Sequence, residues 1–419
     1  MVYNTKLHKA YFRRRLKMYK CMAVNAGSSS LKYKLYEMPE EKVLCSGIAE
    51  RIGHEDGIFT IKFNGEKHTD IVPLPNHAVA VSLLLKALIQ WGIVKDLNEI
   101  SAVGHRVVQG GKYFSHSADF DEDTESKIKM LTPLDPLHAP AHLTGFHAFK
   151  DALPNVPAIA VFDTAFHQTM EPEDYLFPIP YEYTEKYDCR RYGAHGTSHN
   201  YLAVKAKEDY LKDKEETNII TCHIGSGSSL CAIHNGHCVA TTMGLTPLGG
   251  VMMGTRTGDM DPSVMDYLCN CTGKSVDEMY DIFNKKSGFL GVSGVSNDTR
   301  DVEKAAKEGN KRAQLAISLF GRTVANYLGA YFIRLKGKVD LIVFSAGVGE
   351  NAPVFRKAVL DDVKDALGIV VDEKANEEVR GKQGIISAPE SKIKVAVIPT
   401  DEEVMIARDC YARIVHGHC

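Results

Sequence analysis

Residues 21–36 read CMAVNAGSSSLKYKLY, and residues 218–233 read NIITCHIGSGSSLCAI. Each segment opens with a short apolar run, passes through a loop rich in glycine and serine, and ends in residues typical of a strand. This order predicts a strand, a tight loop and a second strand in both places. Ser29 and Ser228 occupy equivalent positions 199 residues apart, close to half of the 419-residue chain. The sequence therefore predicts a duplicated β-loop-β unit, with one copy in each of two domains.

The remaining segments alternate between helical and strand-like patterns. Predicted helices cover residues 77–94, 141–152, 301–335, 353–367 and 402–415, and predicted strands cover residues 340–344 and 394–398. Strands that alternate with helices indicate layered α/β domains. No Pro-rich or low-complexity linker interrupts the pattern, so we expect ordered structure to join the domains.

Charge is unevenly distributed along the chain. In total, 50 basic and 53 acidic residues give a net charge of −3. Residues 1–21 hold seven basic residues and no acidic one, which leaves 43 basic against 53 acidic residues and a net charge of −10 for the rest. A dedicated nucleic-acid-binding protein would show a basic excess, so we expect no nucleic-acid partner. We interpret residues 1–21 as a basic N-terminal extension ahead of a natural start at Met18 or Met22, with a transit peptide or a membrane-surface helix as alternatives.

Hydropathy and cysteine usage predict a cytoplasmic protein without a membrane partner. No apolar run approaches the roughly 18 to 20 residues that a membrane span needs. The N-terminus also lacks the apolar core of a secretory signal. The ten cysteines include no CxxC pair, and we expect them to be reduced thiols.

The two glycine- and serine-rich loops suit an oxyanion. Such a turn can direct several backbone N–H groups and hydroxyls toward one point, and this favours phosphate. Two matched loops, one from each domain, would clasp a polyphosphate across a cleft. Ordinary hairpin turns are the alternative interpretation.

Rival phosphate motifs are weaker. Residues 268–275 end like a P-loop, but Leu268 stands where the first glycine of that motif must be. Residues 347–352 read GVGENA and fit a dinucleotide fingerprint, with Asp372 predicted to end a second apolar strand about 25 residues later. A dehydrogenase therefore stays open as an alternative at this point.

Hydrolase and zinc interpretations have little support. The sequence contains neither a GxSxG elbow nor an HExxH helix motif. His234, His237 and Cys238 could suggest a metal site, but they flank Asn235-Gly236, a strong signal for a hairpin turn. We expect a turn there rather than a metal ion.

Four charged side chains lie in apolar or glycine-rich surroundings. They are Arg106 and Asp163 after predicted strands, His195 between glycines, and Arg256 in a flexible loop. Phosphoryl transfer needs cations for the phosphoryl oxygens and a carboxylate or amide set for Mg²⁺. Each residue alone could be a structural ion pair or a cap, but together they indicate chemistry at a phosphoryl group.

Six segments together resemble the acetate kinase family. In chain order they read NAGSSSLK (25–32), GHRVV (104–108), FDTAFH (162–167), RYGAHGTSH (191–199), GTRTGD (254–259) and AGVGEN (346–351). The resemblance extends from about Met22 to the C-terminal helix. It implies a duplicated actin-like (ribonuclease H-like) α/β fold of two domains, with the active-site cleft between them. We expect residues 22–165 plus 400–419 to form the first domain, and residues 166–399 the second, with the nucleotide-binding loops.

The resemblance also implies a reaction. A cytoplasmic homodimer would transfer the γ-phosphoryl group of ATP reversibly to acetate, with Mg²⁺, or Mn²⁺ in its place. Because acetate is already anionic, no strong general base is needed, and the difficulty is to bring two anions together. We expect direct in-line transfer without a phosphoenzyme.

Site roles are implied residue by residue. Arg106, Asp163, His195, Arg256 and Glu402 would be catalytic. Arg106 would also bind substrate, with Val108, Leu137 and Pro247 forming a small apolar pocket. Asn25 and Glu402 would organise Mg²⁺. Nucleotide contacts would come from Lys32, from His223, Ile224, Gly225, Ser226 and Gly227, from Asp298, Thr299 and Arg300, and from Gly347, Val348, Gly349, Glu350 and Asn351.

Three positions depart from the family pattern. Ser226 stands where Asn is common, Ala194 where many relatives have Phe, and Asp401 where Asn is common. The smaller Ala194 predicts a roomier acyl pocket, so propionate kinase activity is an alternative. An inactive actin-like nucleotide-binding protein is the other.

Overall fold

The computed structural model describes residues 18–136 and 138–417. These residues form two compact units. The first unit contains residues 18–107, 116–136, 138–161 and 403–417, and the second contains residues 108–115 and 162–402. The domain boundaries expected from the sequence stay a prediction. None of the described helices is long and apolar enough to cross a membrane.

The first unit is built on an eight-stranded sheet. Its strands are β1 (Tyr19–Ala26), β2 (Ser30–Met38), β3 (Lys42–Glu50), β4 (His54–Phe63), β5 (Glu66–Leu74), β6 (Ile100–Val107), β7 (Ala118–Asp119) and β8 (Ala158–Phe162), and its first three helices are α1 (His77–Gln90), α2 (Glu122–Met130) and α3 (Ala139–Ala152). The strand order is β5-β4-β3-β2-β1-β6-β8-β7. Strands β1 and β2 are antiparallel, whereas β1 and β6 are parallel.

The first predicted hairpin forms as expected. Leu31, Tyr33 and Leu35 of β2 are all buried, because alternate residues of a strand share one face. Strand β1 begins at Tyr19 rather than at Met22, and Cys21 is fully buried. The predicted N-terminal extension therefore overlaps the first strand at residues 19–21, while residues 1–17 lie outside the described part.

The second unit contains most of the helices. Its helices are α4 (Pro172–Tyr175), α5 (Tyr181–Tyr187), α6 (Gly196–Tyr210), α7 (Ser263–Thr272), α8 (Val276–Lys285), α9 (Gly288–Ser293), α10 (Thr299–Lys307), α11 (Lys311–Arg334), α12 (Ala346–Asn351), α13 (Pro353–Leu367) and α14 (Glu373–Glu378). Its strands are β9 (Asn218–Ile224), β10 (Ser228–His234), β11 (His237–Thr241), β12 (Leu341–Ser345), β13 (Gly384–Ile385) and β14 (Lys394–Val397), in the order β11-β10-β9-β12-β14-β13. The last helix, α15 (Glu402–His416), lies in the first unit from residue 403 onward.

The two sheets share one strand order. In the first unit β3-β2-β1-β6-β8 are neighbours, and in the second β11-β10-β9-β12-β14 are neighbours. In each series the neighbours among the first three strands are antiparallel, and the fourth strand is parallel to the third, so that β6 is parallel to β1 and β12 is parallel to β9. The predicted duplication of an α/β unit is thereby confirmed.

The sheet of the second unit is covered on both faces. Ile220, Cys222 and Phe344 belong to one core with α11 and α13, whereas Ile219 and Val343 belong to another that includes side chains of α6. Consecutive residues thus enter opposite cores, which explains why these strands are apolar at nearly every position. Buried on both sides, the sheet offers a fixed platform for the loops at its strand ends.

One predicted helix is two helices. The region predicted as helical at residues 301–335 forms α10 and α11. Gly309 has a φ of 92°, and the side chain of Asn310 accepts hydrogen bonds from the N–H groups of Arg312 and Ala313 at the start of α11. The left-handed glycine and the cap end one helix and begin the next.

Candidate functional site

A cavity of about 570 Å³ lies in the second unit, at the loops where nucleotide binding was predicted. Its lining residues come from four segments and are Gly225, Ser226, Asn297, Asp298, Thr299, Arg300, Glu303, Gly347, Val348, Asn351, Ala352 and Arg380. The structure therefore brings the three predicted nucleotide segments together around one space. Asn297, Glu303, Ala352 and Arg380 were missed by sequence analysis.

The turn between β9 and β10 connects this cavity to two catalytic candidates. The N–H of Gly225 donates to the carbonyl of Gly227 at 3.0 Å, which closes the turn. A Cβ atom added to Gly227 would lie 3.4 Å from Nη1 of Arg256 and 3.4 Å from Cε1 of His195. Gly225 and Ser226 thus line the cavity, and the next residue faces His195 and Arg256.

The segment at Asp298 caps a helix at the cavity wall. Asp298 accepts from the backbone N–H of Arg300 at 2.9 Å and is also bonded to its guanidinium group. These interactions with Arg300 lower the pKa of Asp298 to about 2. The carboxylate is ionised at neutral pH, and the guanidinium of Arg300 stays largely exposed beside it.

A buried arginine supports the third segment. Arg356 on α13 has no exposed surface and donates to the carbonyls of Gly349 and Glu350 at 2.8 and 3.1 Å. Its remaining N–H groups donate to Asn376 and to the carbonyl of Val379. Burial lowers its pKa to about 10. Arg356 was not among the predicted residues, and its one signal in the sequence is a charged residue at an apolar position of a predicted helix.

Glu350 contacts the segment after β14. Its Oε1 accepts from the backbone N–H of Thr400 at 3.1 Å, and Gly349 is held by Arg356. The predicted contact of Glu350 with nucleotide stays a prediction, and its observed role is to tie α12 to the segment after β14.

The dinucleotide interpretation of this region is wrong. Asp372 caps α14 by accepting from the N–H of Ala375 at 2.9 Å. The residue before it, Val371, forms a single β-bridge with Ser387. The extended strand that a dinucleotide fold would place before an acidic residue is replaced by a helix cap.

His195 occupies a special backbone position at the start of α6. Its φ is 58°, and the next residue donates its N–H to the carbonyl of Asp163 at 2.8 Å. A Cβ atom on Gly196 would lie 2.2 Å from that carbonyl oxygen, so only glycine fits. Thr197 also contacts the carboxylate of Asp163 at 3.3 Å. The glycine after His195 thereby fixes His195 and Asp163 relative to each other.

A hydroxyl network orients the imidazole of His195. Its Nδ1 is 2.9 Å from Oγ of Ser229, and the same Oγ is 2.8 Å from Nε2 of His199. The other nitrogen of His199 contacts Oγ1 of Thr221 at 2.7 Å. Burial lowers the pKa of His199 well below its ordinary value, with contributions from His167 and His223, so this ring is neutral at physiological pH.

Arg256 contacts the predicted acyl pocket. Its Nη1 donates to the carbonyl of Pro247 at 3.3 Å and contacts Sδ of Met253 at 3.7 Å. Val108 is buried in the same unit, whereas Leu137 lies outside the described residues. Ala194 packs with Met243 and Met253, so flexible methionine side chains fill the space beside it.

The first unit contributes three of the predicted residues. Asn25 lies on β1 and is half-buried, Lys32 lies on β2 and is exposed, and Arg106 is half-buried on β6. The neighbouring His105 is fully buried among Phe120, Phe146 and Phe149. Burial lowers the pKa of His105 to about 3, so it is a neutral core residue.

Comparisons with known proteins agree with these motifs. Residues 20–408 match the family model described as the Acetokinase family. The chain belongs to the acetate kinase family. It is 51% identical to the acetate kinase of Bacillus velezensis over 94% of this chain and 98% of the relative. The prediction made from the sequence motifs is confirmed.

Solved structures of acetate kinase family members share the fold. The crystal structure of Porphyromonas gingivalis acetate kinase has a TM-score of 0.87 at 45% identity and covers 94% of this chain and 99% of that one. A propionate kinase from Francisella tularensis has a TM-score of 0.87 at 38% identity, with 93% and 98% of the two chains covered. The α/β fold predicted for this kinase family is therefore confirmed.

Proposed function

We propose that this chain transfers the γ-phosphoryl group of ATP to acetate, reversibly and by direct in-line displacement. The observation that supports this most is the position of Gly227, which directly follows two residues that line the cavity and itself lies next to His195 and Arg256. An oxygen of acetate forms the new bond to phosphorus while the bond to the leaving oxygen of ADP breaks. Acetyl phosphate and ADP are the products.

The cations of the site offset the repulsion between two anions. We assign Arg256 and His195 to the equatorial oxygens of the phosphoryl group in flight, because both approach Gly227. Arg106 is assigned to the carboxylate of acetate or to the phosphoryl group. A positioned arginine contributes ~10³ to 10⁵ in rate to phosphoryl transfer. Val108, Leu137 and Pro247 are assigned to the methyl group of acetate.

Nucleotide phosphates and base have several proposed partners. In the second unit these are the residues that line the cavity, among them Ser226, Asp298, Arg300 and Asn351. Arg380 adds a cation to the lining that the sequence motifs did not suggest. His223, Ile224 and Gly227 complete the turn, and Lys32 of the first unit is assigned to the phosphates.

Oxygen donors for Mg²⁺ are present among the predicted residues. Asn25, Asp163 and Glu402 carry amide or carboxylate oxygens, the donor type that Mg²⁺ prefers. We propose Asn25 and Glu402 as the residues that organise Mg²⁺ or Mn²⁺ and its waters, with Asp163 as the acidic residue nearby. A metal ion bound there would offset the negative charge of the phosphates. Asp163 is fully buried, and the backbone contact with Gly196 holds it in place.

We also propose a cytoplasmic homodimer. The second unit exposes a short run of large apolar side chains around α5, namely Ile179, Tyr181, Tyr183 and Tyr187. A cluster of exposed aromatic residues is typical of a protein interface. Light scattering should give twice the monomer mass of 46.3 kDa, and a monomer at micromolar concentration would contradict the assignment.

One assay series tests the proposed reaction. Purified protein is incubated with ATP, Mg²⁺ and acetate, propionate or butyrate, and acyl phosphate is trapped as the hydroxamate. We expect acetate to give the largest kcat/KM and propionate to follow within about 10- to 200-fold, because one methylene contributes only ~1 to 3 kcal/mol. Butyrate as the best substrate would refute the acetate assignment, and failure to form any acyl phosphate would refute kinase activity.

A further inference from the structure

A second cluster of reactive side chains lies in the core of the second unit. Nδ1 of His167 is 3.2 Å from Sγ of Cys238, and Sγ of Cys238 is 3.4 Å from Sγ of Cys231. The three atoms all lie within 4.8 Å of one another, and the three side chains have no exposed surface. The proposed phosphoryl transfer uses none of them.

The hydrogen bonds of His167 fix its tautomer. Its Nε2 is 3.0 Å from the carbonyl oxygen of Ala194, and a carbonyl oxygen only accepts. Nε2 therefore carries a proton, so the neutral ring presents the lone pair of Nδ1 to Cys238. Metal-binding histidines commonly have this arrangement, in which one ring nitrogen donates to a backbone carbonyl and the other binds the ion.

The two thiols lie against each other and against this ring. The S–H of Cys231 donates to Sγ of Cys238, which in turn lies beside Nδ1 of His167. The three side chains therefore offer one nitrogen atom and two sulfur atoms to the same small space in the core.

We propose that His167, Cys231 and Cys238 bind one thiophilic divalent ion of the Zn²⁺ or Cd²⁺ type. In a tetrahedral zinc site, bond lengths of about 2.3 Å to sulfur and 2.0 to 2.1 Å to nitrogen separate the ligand atoms by about 3.6 to 3.8 Å. The observed 3.2 and 3.4 Å separations need to open by only a few tenths of an ångström. Two thiolates bind the ion, so the protons of the Cys231–Cys238 pair are released to solvent, and the fourth position is left to water.

Strand β11 provides the entry path. It is the edge strand of its sheet and holds Cys238, and the turn that precedes it contains Asn235 and Gly236 with φ of 49° and 80°. Edge strands and their turns open locally at lower free energy than central strands. The ion is expected to bind slowly, at a rate set by this opening.

The position of the cluster connects it to the catalytic segment. A Cβ atom on Gly193 would lie 2.6 Å from Cδ2 of His167, so the ring packs directly against the backbone of residues 193–194. An ion bound to Nδ1 of His167 would be connected to Ala194, the residue before His195, through the imidazole ring and the hydrogen bond from its Nε2.

Cadmium titration of a variant with fewer cysteines tests the proposal. The background carries Cys189→Ser, Cys269→Ser, Cys271→Ser and Cys419→Ser, which removes the cysteines that are less buried or lie outside the described residues. Cd²⁺ is added under argon, and the ultraviolet thiolate-to-cadmium charge-transfer band is followed together with non-denaturing mass spectrometry. We expect one ion per chain, a slowly growing band and a higher Tm at saturation.

Three further variants in that background decide the assignment. The band should vanish in Cys238→Ser and in Cys231→Ser and weaken at least tenfold in affinity in His167→Gln. The matched control is Cys222→Ala, which removes a fully buried cysteine on the opposite face of the same sheet and should leave the band unchanged. Each variant is checked for folding by circular dichroism. The mass of the background protein, which carries none of these further substitutions, gives the number of bound ions per chain independently of how the variants fold.

Several results would overturn the proposal. They are the absence of a bound ion in the background protein, a band that persists without Cys238, or a band that depends equally on Cys222.

Discussion

The imidazole rings of His195 and His223 are stacked, with centroids 4.1 Å apart and planes inclined by 23°. Nδ1 of His195 faces Ser229, and Nδ1 of His223 is 2.8 Å from Oγ of Ser198. Both rings are therefore oriented by hydroxyls. Nε2 of His195 would lie 3.5 Å from a Cβ atom placed on Gly227. The stack presents this nitrogen to the turn that borders the cavity proposed for the nucleotide.

Replacement of Arg256 by Ala is expected to lower kcat far more than it raises the KM for ATP. The proposed role is in the transition state, where the guanidinium meets charge that is absent from bound ATP. A loss of ~10³-fold in kcat is expected. Arg322→Ala, which removes an exposed arginine paired with Asp362 in the same unit, is the control and should retain activity. An increase in KM at unchanged kcat would contradict the role.

Gly227→Ala tests the convergence of His195 and Arg256. The added methyl group would lie 3.4 Å from both side chains and would occupy space assigned to the phosphoryl group. We expect kcat to fall at least tenfold without loss of Tm. Gly329→Ala is the matched control, because its Cβ would meet nothing within 4 Å in the interior of α11, and alanine is the better helix former. If both variants had the same kcat, Gly227 would not lie next to the transferred phosphoryl group, and the prediction would be wrong.

Hydropathy patterns predicted the strands and the duplication because the burial of a strand's faces determines which of its own consecutive residues are apolar. The alternation at Leu31, Tyr33 and Leu35, and the continuous apolar run of β9, follow from one-sided and two-sided burial. Helix ends were less predictable. The helix predicted at residues 77–94 ends at Gln90, because Trp91 caps it and Gly92 then adopts a φ of 64°.

The supporting contacts of the site could not be read from the sequence. Buried Arg356 donates hydrogen bonds to Asn376 and Val379, which lie 20 and 23 residues later in the chain. No local sequence pattern indicates that this later segment packs against it. Likewise, His167 and Cys238 are 71 residues apart and meet only through the sheet. The glycine-rich motifs predicted the loops, but the groups that hold them are set by tertiary packing.

Arg356→Met is expected to weaken ATP binding and to destabilise the second unit. Methionine fills similar volume but leaves the buried carbonyls of Gly349, Asn376 and Val379 without these donors. Each unsatisfied buried group costs about 1 to 3 kcal/mol, so we expect a total loss of several kcal/mol and a higher KM for ATP. Asp365→Ala, at an exposed position on the same helix, is the control for urea unfolding and kinetics. A variant with unchanged Tm and KM would show that Arg356 does not hold the loop.

Stability should fall between about pH 4 and pH 6 because of Asp409 on α15. Burial raises the pKa of Asp409 to about 6, against an ordinary value of 3.8, although its contact with Ser117 lowers it in part. The native state therefore binds more protons than the unfolded state in this range, and the free energy of unfolding decreases as pH rises, by up to about 3 kcal/mol. Above pH 6 both states are ionised at this residue and the effect is constant.

The variant Asp409→Asn should lack this slope. Its free energy of unfolding, compared with that of the parent chain, should therefore be higher at pH 7.5 than at pH 4.5. The exposed Asp213→Asn is the control and should behave as the parent chain. Urea unfolding of the three proteins at both pH values measures this, and parallel pH profiles for the parent and Asp409→Asn would show that Asp409 does not titrate in that range.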